Sequence, residues 1–269
     1  MTLRNTIEFK KDEFNYAVRA QKRVKFILSN ASKKSREAFY EEFVNRGRDA
    51  AMIHGIAIPP GYPTASLNEV FFDRIYDIQG FIPGPSDIVV DVGANSGDWT
   101  IYCSKVLGAK EVYAFEPLYE NISWARAILN LNGCNNTHLF DVALSDVETE
   151  KDMGYKGNML AKSLGVKASD RQIVRFRTLD SYSLPCTILK IDVEGFELNV
   201  LNGAIQTIRN NKPRIVIETH SLELRKKCDA LLRSEGYKLR VSGRSINAKK
   251  RWPSSQFDIV TNLFYSYEK

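Results

Sequence analysis

Cysteine is scarce. Four occur, at Cys103, Cys134, Cys186 and Cys228, with no CxxC pair and no closely spaced Cys–His partner. That spacing argues against a disulfide framework or a structural zinc site, and leaves small buried thiols in a reducing compartment as the expectation. Long apolar runs are missing too. No stretch approaches the roughly 18 residues needed to cross a bilayer. The charged start, MTLRNTIEFKKDEF, holds no apolar segment of signal-peptide length. The expected location is therefore the cytoplasm, with no transmembrane segment. Charge of one sign is in small excess only: 38 Lys and Arg against 32 Asp and Glu, a formal net charge of +6. Such a surplus suits an anionic partner such as a phosphate-bearing glycan, a nucleotide or RNA, and equally an ordinary solvated basic surface. Neither an internal repeat nor a low-complexity run is present.

What is there reads as two regions. The 269 residues, 43% hydrophobic and 26% charged, suffice for one full domain with an extension. Residues 1–85 are polar and aromatic, with helical spacing over 8–30 and 32–49, a Pro/Gly-dense stretch at 56–65 and a short helix within 67–81. They predict an N-terminal helical extension or cap. The turn cluster IPGPSD (82–87) marks the boundary. Residues 86–269 alternate short apolar strands (87–92, 111–115, 137–144, 187–192, 214–219, 237–242, 257–266) with helices (97–108, 118–132, 195–210, 221–235). Strands apolar throughout, separated by amphipathic helices, predict an α/β fold: a doubly wound, mostly parallel seven-stranded sheet. The last two strands lack a helix between them and are expected to form an antiparallel pair at one edge. Segment 145–186 interrupts the alternation with a polar excursion and one further strand at 172–179.

In such sheets ligands bind beyond the carboxyl ends of the strands, where strand order reverses. The first strand ends in DVGANSGDW (91–99), where Gly93 and Gly97 allow a tight turn into a helix whose N-terminus offers N–H groups. The diphosphate-binding GxGxxG spacing is absent. Asp91 stands where a dinucleotide would bring negative charge, whereas S-adenosylmethionine brings a cationic amino group and a sulfonium. That contrast favours S-adenosylmethionine. Glu116, in FEP (115–117), can accept hydrogen bonds from vicinal ribose hydroxyls. Asp141 and the Ala143 amide, on the third strand, can read an adenine edge.

DVGANSGDWT, FEPLYEN, NLNGC, VALSD, TLDSY and above all LKIDVEGFELNVLNGA (189–204) with RIVIETH (214–220) resemble FkbM-type methyltransferases. The resemblance covers roughly 86–220. It implies the Rossmann-like class I methyltransferase fold and O-methylation of hydroxyls on sugars or glycosylated metabolites. It also implies that Asp91, Gly93, Asn95 and Gly97 hold the methionine part, Glu116 the ribose, and Asp141 with Ala143 the adenine.

A hydroxyl nucleophile needs a base or a charge-stabilising group. Lys190, Asp192 and Glu194 alternate at the end of the fourth strand, and Glu218 and His220 do so at the end of the fifth, so each set shares one side of its strand. Asp192 is read as general base or orienter of the acceptor. Lys190 stabilises developing alkoxide or pairs with Asp192. Glu218 and Glu194 hold acceptor hydroxyls, and His220 is an alternative base. No metal ligand is assigned, although Asp192, Glu194 and Glu218 have the chemistry for a hard cation such as magnesium. The expected partner is a small-molecule or glycan acceptor. The alternatives are a ribose-methylating RNA enzyme and a non-catalytic S-adenosylmethionine-binding module; RNA is disfavoured because the basic residues are interleaved with acids and no RNA-binding signature is visible. The N-terminal helices and the 145–186 excursion are expected to cap the acceptor pocket or to form a homodimer contact.

Overall fold

The computed structural model describes residues 51–53, 55–59, 61–63, 67–72, 74–156, 159–160, 170–243 and 261–268. The helices expected over 8–30 and 32–49 lie outside the described residues, as do the linker beyond Gly243 and positions 257–260. A short antiparallel pair, β1 (Ala51–Ile53) and β2 (Ile56–Ile58), precedes one π-helical turn at Asn68–Phe72. Then follow β3 (Ile88–Val92), α1 (Asp98–Ile101, continued by a π-helical stretch to Val106), β4 (Glu111–Phe115), α2 (Tyr119–Leu131) and β5 (Thr137–Phe140). Next come β6 (Ala143–Leu144), β7 (Thr149–Lys156), β8 (Met159–Leu160), β9 (Asp170–Arg177) and β10 (Ile188–Ile191). The chain continues through α3 (Glu197–Asn202), α4 (Ile205–Asn211), β11 (Arg214–Thr219), α5 (Leu222–Ser234), β12 (Tyr237–Ser242) and β13 (Thr261–Tyr267).

The main sheet has seven strands in the order β12-β13-β11-β10-β3-β4-β5. β11, β10, β3, β4 and β5 are mutually parallel, and β13 runs antiparallel to both its neighbours. The last two strands pair as expected, but β13 inserts between β11 and β12 and leaves β12 as the edge. Strand order reverses between β3 and β10, which places the ligand crevice at their carboxyl ends.

Alternating residues of the central strands feed two apolar layers. Val89, Ile188, Val216 and Phe264 face one side, and Val90, Leu189, Ile215 and Leu263 the other. Each such side chain, fully buried, contributes roughly 1.5–3 kcal/mol. The first layer also includes Ile56, Ile58, Tyr62, Phe71, Tyr76 and Phe81. Chain from the expected extension therefore packs into the same core as the sheet.

Three expected elements differ in detail. The strand 137–144 divides, because Ala143–Leu144 leaves the main sheet to pair with β9. The helix 195–210 breaks at Gly203, where a Cβ would lie 1.9 Å from the Ser145 carbonyl oxygen. The Asp180 carboxylate then caps the new start by accepting from the Gln206 and Thr207 amides. The excursion 145–186 contains two strands besides the expected one: β8, and β7, which pairs antiparallel with β9 from Thr149↔Phe176 to Tyr155↔Asp170. Its sequence TEKDMGYK lacks an apolar face because the ribbon is largely solvated. On β9 only Val174 and Phe176 are buried. All four cysteines are free and buried. No helix among the described residues is long and apolar enough to cross a membrane.

Candidate active site

At the carboxyl end of β3 the chain turns sharply. Gly93 has φ +79°, and a Cβ there would sit 1.7 Å from the Asp192 carbonyl oxygen, so the β3 and β10 loops touch through a position only glycine fills. Asn95 takes the left-handed conformation at φ 51°. The loop amides are spent internally. Those of Gly93 and Ala94 donate to the Phe115 carbonyl, Asn95 to Glu116 Oε2 at 2.9 Å, Ser96 to Asn95 Oδ1, and Gly97 to the Ala94 carbonyl. The loop is thus braced against β4 before the helix starts at Asp98.

Beside this loop lies a cleft lined by Gly93, Asn95, Glu116, Ala143, Asp192 and Glu194 together with apolar Val142, Phe176 and Phe196. Six residues singled out in the sequence thus line it. Asp91, Gly97 and Asp141 lie outside it. Gly97 packs against Ala125 of α2, where a Cβ would meet that residue at 3.0 Å. Asp141 is exposed and ion-paired with Arg175, which turns its carboxylate away from the cleft and leaves Ala143 as the wall residue of that pair.

Asp91 is fully buried beneath the floor. Its Oδ1 accepts from Lys190 Nζ at 3.0 Å and its Oδ2 from Thr100 Oγ1 at 2.7 Å. Each oxygen thus has one donor within the fold, and Asp91 does not itself line the cleft. Lys190 is equally buried. Its ammonium also donates to the Gly93 carbonyl at 3.1 Å, sits 3.9 Å from Asp192 Oδ2, and lies over the Tyr76 and Trp99 rings. Burial alone would lower its pKa, but Asp91 and Asp192 outweigh that and raise it. Lys190 thus pairs first with Asp91, and only at longer range with Asp192.

Glu116 is buried at the end of β4. Oε1 accepts from the Leu118 amide at 2.9 Å and from Asn121 Nδ2 at 3.1 Å, and Oε2 accepts from the Asn95 amide. A carboxylate offers about four acceptor positions. Three are filled, which leaves Oε2 one for a ligand hydroxyl rather than the two expected. Burial raises its pKa to about 7 despite these donors.

The second half of the site lies across β10, β11 and β13. In the ladder Lys190 pairs with Val216, and Glu218 with Asn262. Continuing the register sets Asp192 beside Glu218, and His220 two residues on points to the same side. His220 Nδ1 lies 2.7 Å from Glu197 Oε1, and Nε2 lies 3.3 Å from Glu194 Oε2 and 3.8 Å from Asp192 Oδ1. Burial would lower the imidazole pKa, but hydrogen bonds to Glu194 and Glu197 and the nearby Asp192 charge raise it to about 11. An imidazolium is a donor, so His220 in this state is not a base at neutral pH.

Two contributors escaped the sequence reading. Tyr76 donates to Asp192 Oδ2 at 3.2 Å, and burial with the charges of Asp192 and Glu218 keeps its hydroxyl protonated. It sits in the extension, in the segment 67–81 that was read only as containing a short helix. Glu197, fully buried behind His220, is the last residue of KIDVEGFE and was visible in that motif without an assigned role.

The sheet order, the cleft at the strand reversal and the acidic strand ends are those of a class I methyltransferase. Methyltransferase FkbM of Methylobacillus flagellatus KT superposes with a TM-score of 0.52 at 20% identity, covering 72% of this chain and 47% of that one. The model of the Methyltransferase FkbM domain matches residues 91–239, more than half of the chain, and the chain belongs to the FkbM family of methyltransferases. Methyltransferase sdnD of Sordaria araneosa is 23% identical over 234 residues, covering 72% of this chain and 86% of sdnD. The AMB antimetabolite synthetase AmbE of Pseudomonas aeruginosa is 31% identical over 109 residues, which cover 37% of this chain and 5% of AmbE. The chain thus spans a small part of AmbE and about half of the Methylobacillus protein.

Proposed function

We propose that the protein transfers a methyl group from S-adenosylmethionine to a hydroxyl of a sugar or glycosylated small molecule. The observation that carries this reading is the cleft that Glu116 and Asp192 both line. The residues fit the cofactor. The remaining acceptor position on Glu116 Oε2 suits a ribose hydroxyl, and Val142, Phe176 and Phe196 suit a flat base. Glu194 brings a carboxylate to the cleft wall, which suits a cationic amino group.

When bound, the cofactor would supply a methyl carbon activated by its sulfonium. Asp192 would accept the proton of the acceptor hydroxyl. Tyr76 holds Asp192 in place from the other side. Glu194, 36% exposed at its side chain and on the cleft wall, orients acceptor hydroxyls. Lys190 acts through Asp91 and Asp192 as a positioning residue. Residues 86–269 form the transfer domain in this reading. The segment that carries Tyr76 belongs to the acceptor side in this reading, which its hydrogen bond to Asp192 supports.

The test is incubation with S-adenosylmethionine labelled in its methyl group and separated polar metabolites, glycolipids and RNA. Label should enter a glycan-bearing fraction. Asp192→Asn should cut the rate by about 10²–10⁴ while binding S-adenosylhomocysteine normally. Label in RNA alone would replace the acceptor assignment, and an undiminished Asp192→Asn rate would remove Asp192 as base.

A further inference from the structure

Asp192, Glu218 and His220 bring one ligand atom each to within 4.8 Å of one another. They come from the ends of two adjacent strands, so the grouping is set by sheet register and not by a flexible loop. Three further observations bear on what it holds. First, His220 is fixed from behind: Nδ1 lies 2.7 Å from Glu197 Oε1, which turns Nε2 toward the carboxylates of Glu194 and Asp192. A ligating imidazole ordinarily has its other nitrogen held this way by a carboxylate. Second, negative charge is in excess. Asp192, Glu194, Glu197 and Glu218 surround one imidazole, and the nearest ammonium, on Lys190, is already paired with Asp91. Third, polar atoms are left over. Glu197 Oε2 is buried with no hydrogen-bond partner among the described residues, and so are both amide atoms of Asn262. Asn262 is wholly buried and directly opposite Glu218, so the two side chains share a face. A native protein rarely leaves a buried amide without a partner unless something not yet named satisfies it.

We propose that Asp192, Glu218 and His220 bind a divalent cation, with the Asn262 amide oxygen as neighbouring support. Two carboxylates and one imidazole form a mixed oxygen and nitrogen set. That set favours Mn²⁺, which accepts both donor types, over Mg²⁺, which prefers oxygen alone. His220 replaces Glu194 in the oxygen-only set that the sequence suggested. A cation on the Oδ1 side of Asp192 leaves Oδ2, which faces Tyr76, to receive a proton. It also offers open positions to an acceptor hydroxyl, whose acidity it raises. This last role rests on the methyl-transfer reading, whereas the cation site itself does not.

The full-length protein is titrated with Mn²⁺ and followed by electron paramagnetic resonance, with S-adenosylhomocysteine binding measured separately on every variant. One Mn²⁺ per chain is expected, with Mg²⁺ competing weakly. His220→Ala and Glu218→Gln should each weaken Mn²⁺ at least tenfold while binding S-adenosylhomocysteine as the parent does, which shows that they are folded. Glu197→Gln, which touches the cation only through the imidazole, should weaken it by about tenfold. The absence of saturable Mn²⁺ binding overturns the proposal, as does binding that neither His220→Ala nor Glu218→Gln alters. If the parent binds Mn²⁺ but not S-adenosylhomocysteine, the transfer reading fails and the cation site stands.

Discussion

Replacing Gly93 by alanine should destabilise the protein by at least about 4 kcal/mol and abolish cofactor binding. Two costs combine there. An L-residue at φ +79° pays about 1–2 kcal/mol for the left-handed conformation. The larger cost is steric, because a methyl group 1.7 Å from the Asp192 carbonyl oxygen cannot be accommodated unless β3 and β10 part. Backbone, not a flexible side chain, is the obstacle. Parting them displaces Asp192, Lys190 and the cleft wall together, which places this change in the rare severe class. Gly108 provides the control. It has φ +69° with nothing within 4 Å of a built Cβ, so Gly108→Ala should cost only the conformational penalty of about 1–2 kcal/mol. Urea unfolding of both variants measures the difference. Equal destabilisation would mean that the contact between the two loops is not what holds them.

Lys190→Met should cost about 3–5 kcal/mol, since it strands the Asp91 carboxylate in the core with only Thr100 as partner. The loss arises from an uncompensated charge more than from a missing contact. Asp91→Asn combined with Lys190→Met should therefore be more stable than Lys190→Met alone, with a coupling of about 2 kcal/mol or more between the two sites. Denaturant midpoints of the two single variants, the double variant and the parent give that coupling directly. Simple additivity would show that the pair is not an isolated unit, and that Lys190 owes its place to Asp192 and the Tyr76 and Trp99 rings.

Much of this was legible in the sequence, for identifiable reasons. The central strands are apolar on both faces, and that pattern survives folding unchanged, so β3, β4, β10 and β11 fall where the residues put them. The cleft residues follow from the same pattern. Gly93, Asn95, Glu116, Ala143, Asp192 and Glu194 stand at strand ends, and the topology brings strand ends together. What the sequence did not disclose depends on contacts between distant segments. Asp91 looks like a ligand-facing acid until Lys190, a neighbour only across the sheet, is seen to claim it. Glu116 loses acceptor positions to Asn95 and Asn121. His220 looks like an unencumbered base until the carboxylates of Asp192, Glu194 and Glu197, from the loop after β10 and the start of α3, are seen to converge on it. β7 was missed because a solvated ribbon has no apolar alternation to detect. Tyr76 was missed because its segment was read as separate from the sheet it packs against.

The account rests most on Glu116 as the group that holds an adenosine ribose. Burial sets its pKa at about 7, above the ordinary 4.5. In the free protein this favours the protonated form, so its contribution to stability falls as pH rises from about 4.5 to about 7. A ribose hydroxyl donating to Oε2 favours the opposite, ionised form. Calorimetric titration with S-adenosylhomocysteine at pH 8 and pH 6 separates the two. The expected result is one-to-one binding that weakens roughly tenfold at the lower pH, following the ionised fraction of Glu116. Glu116→Gln should bind more weakly at both and lose the pH dependence. Binding that is absent in the parent, or unchanged by pH and by Glu116→Gln, would contradict it.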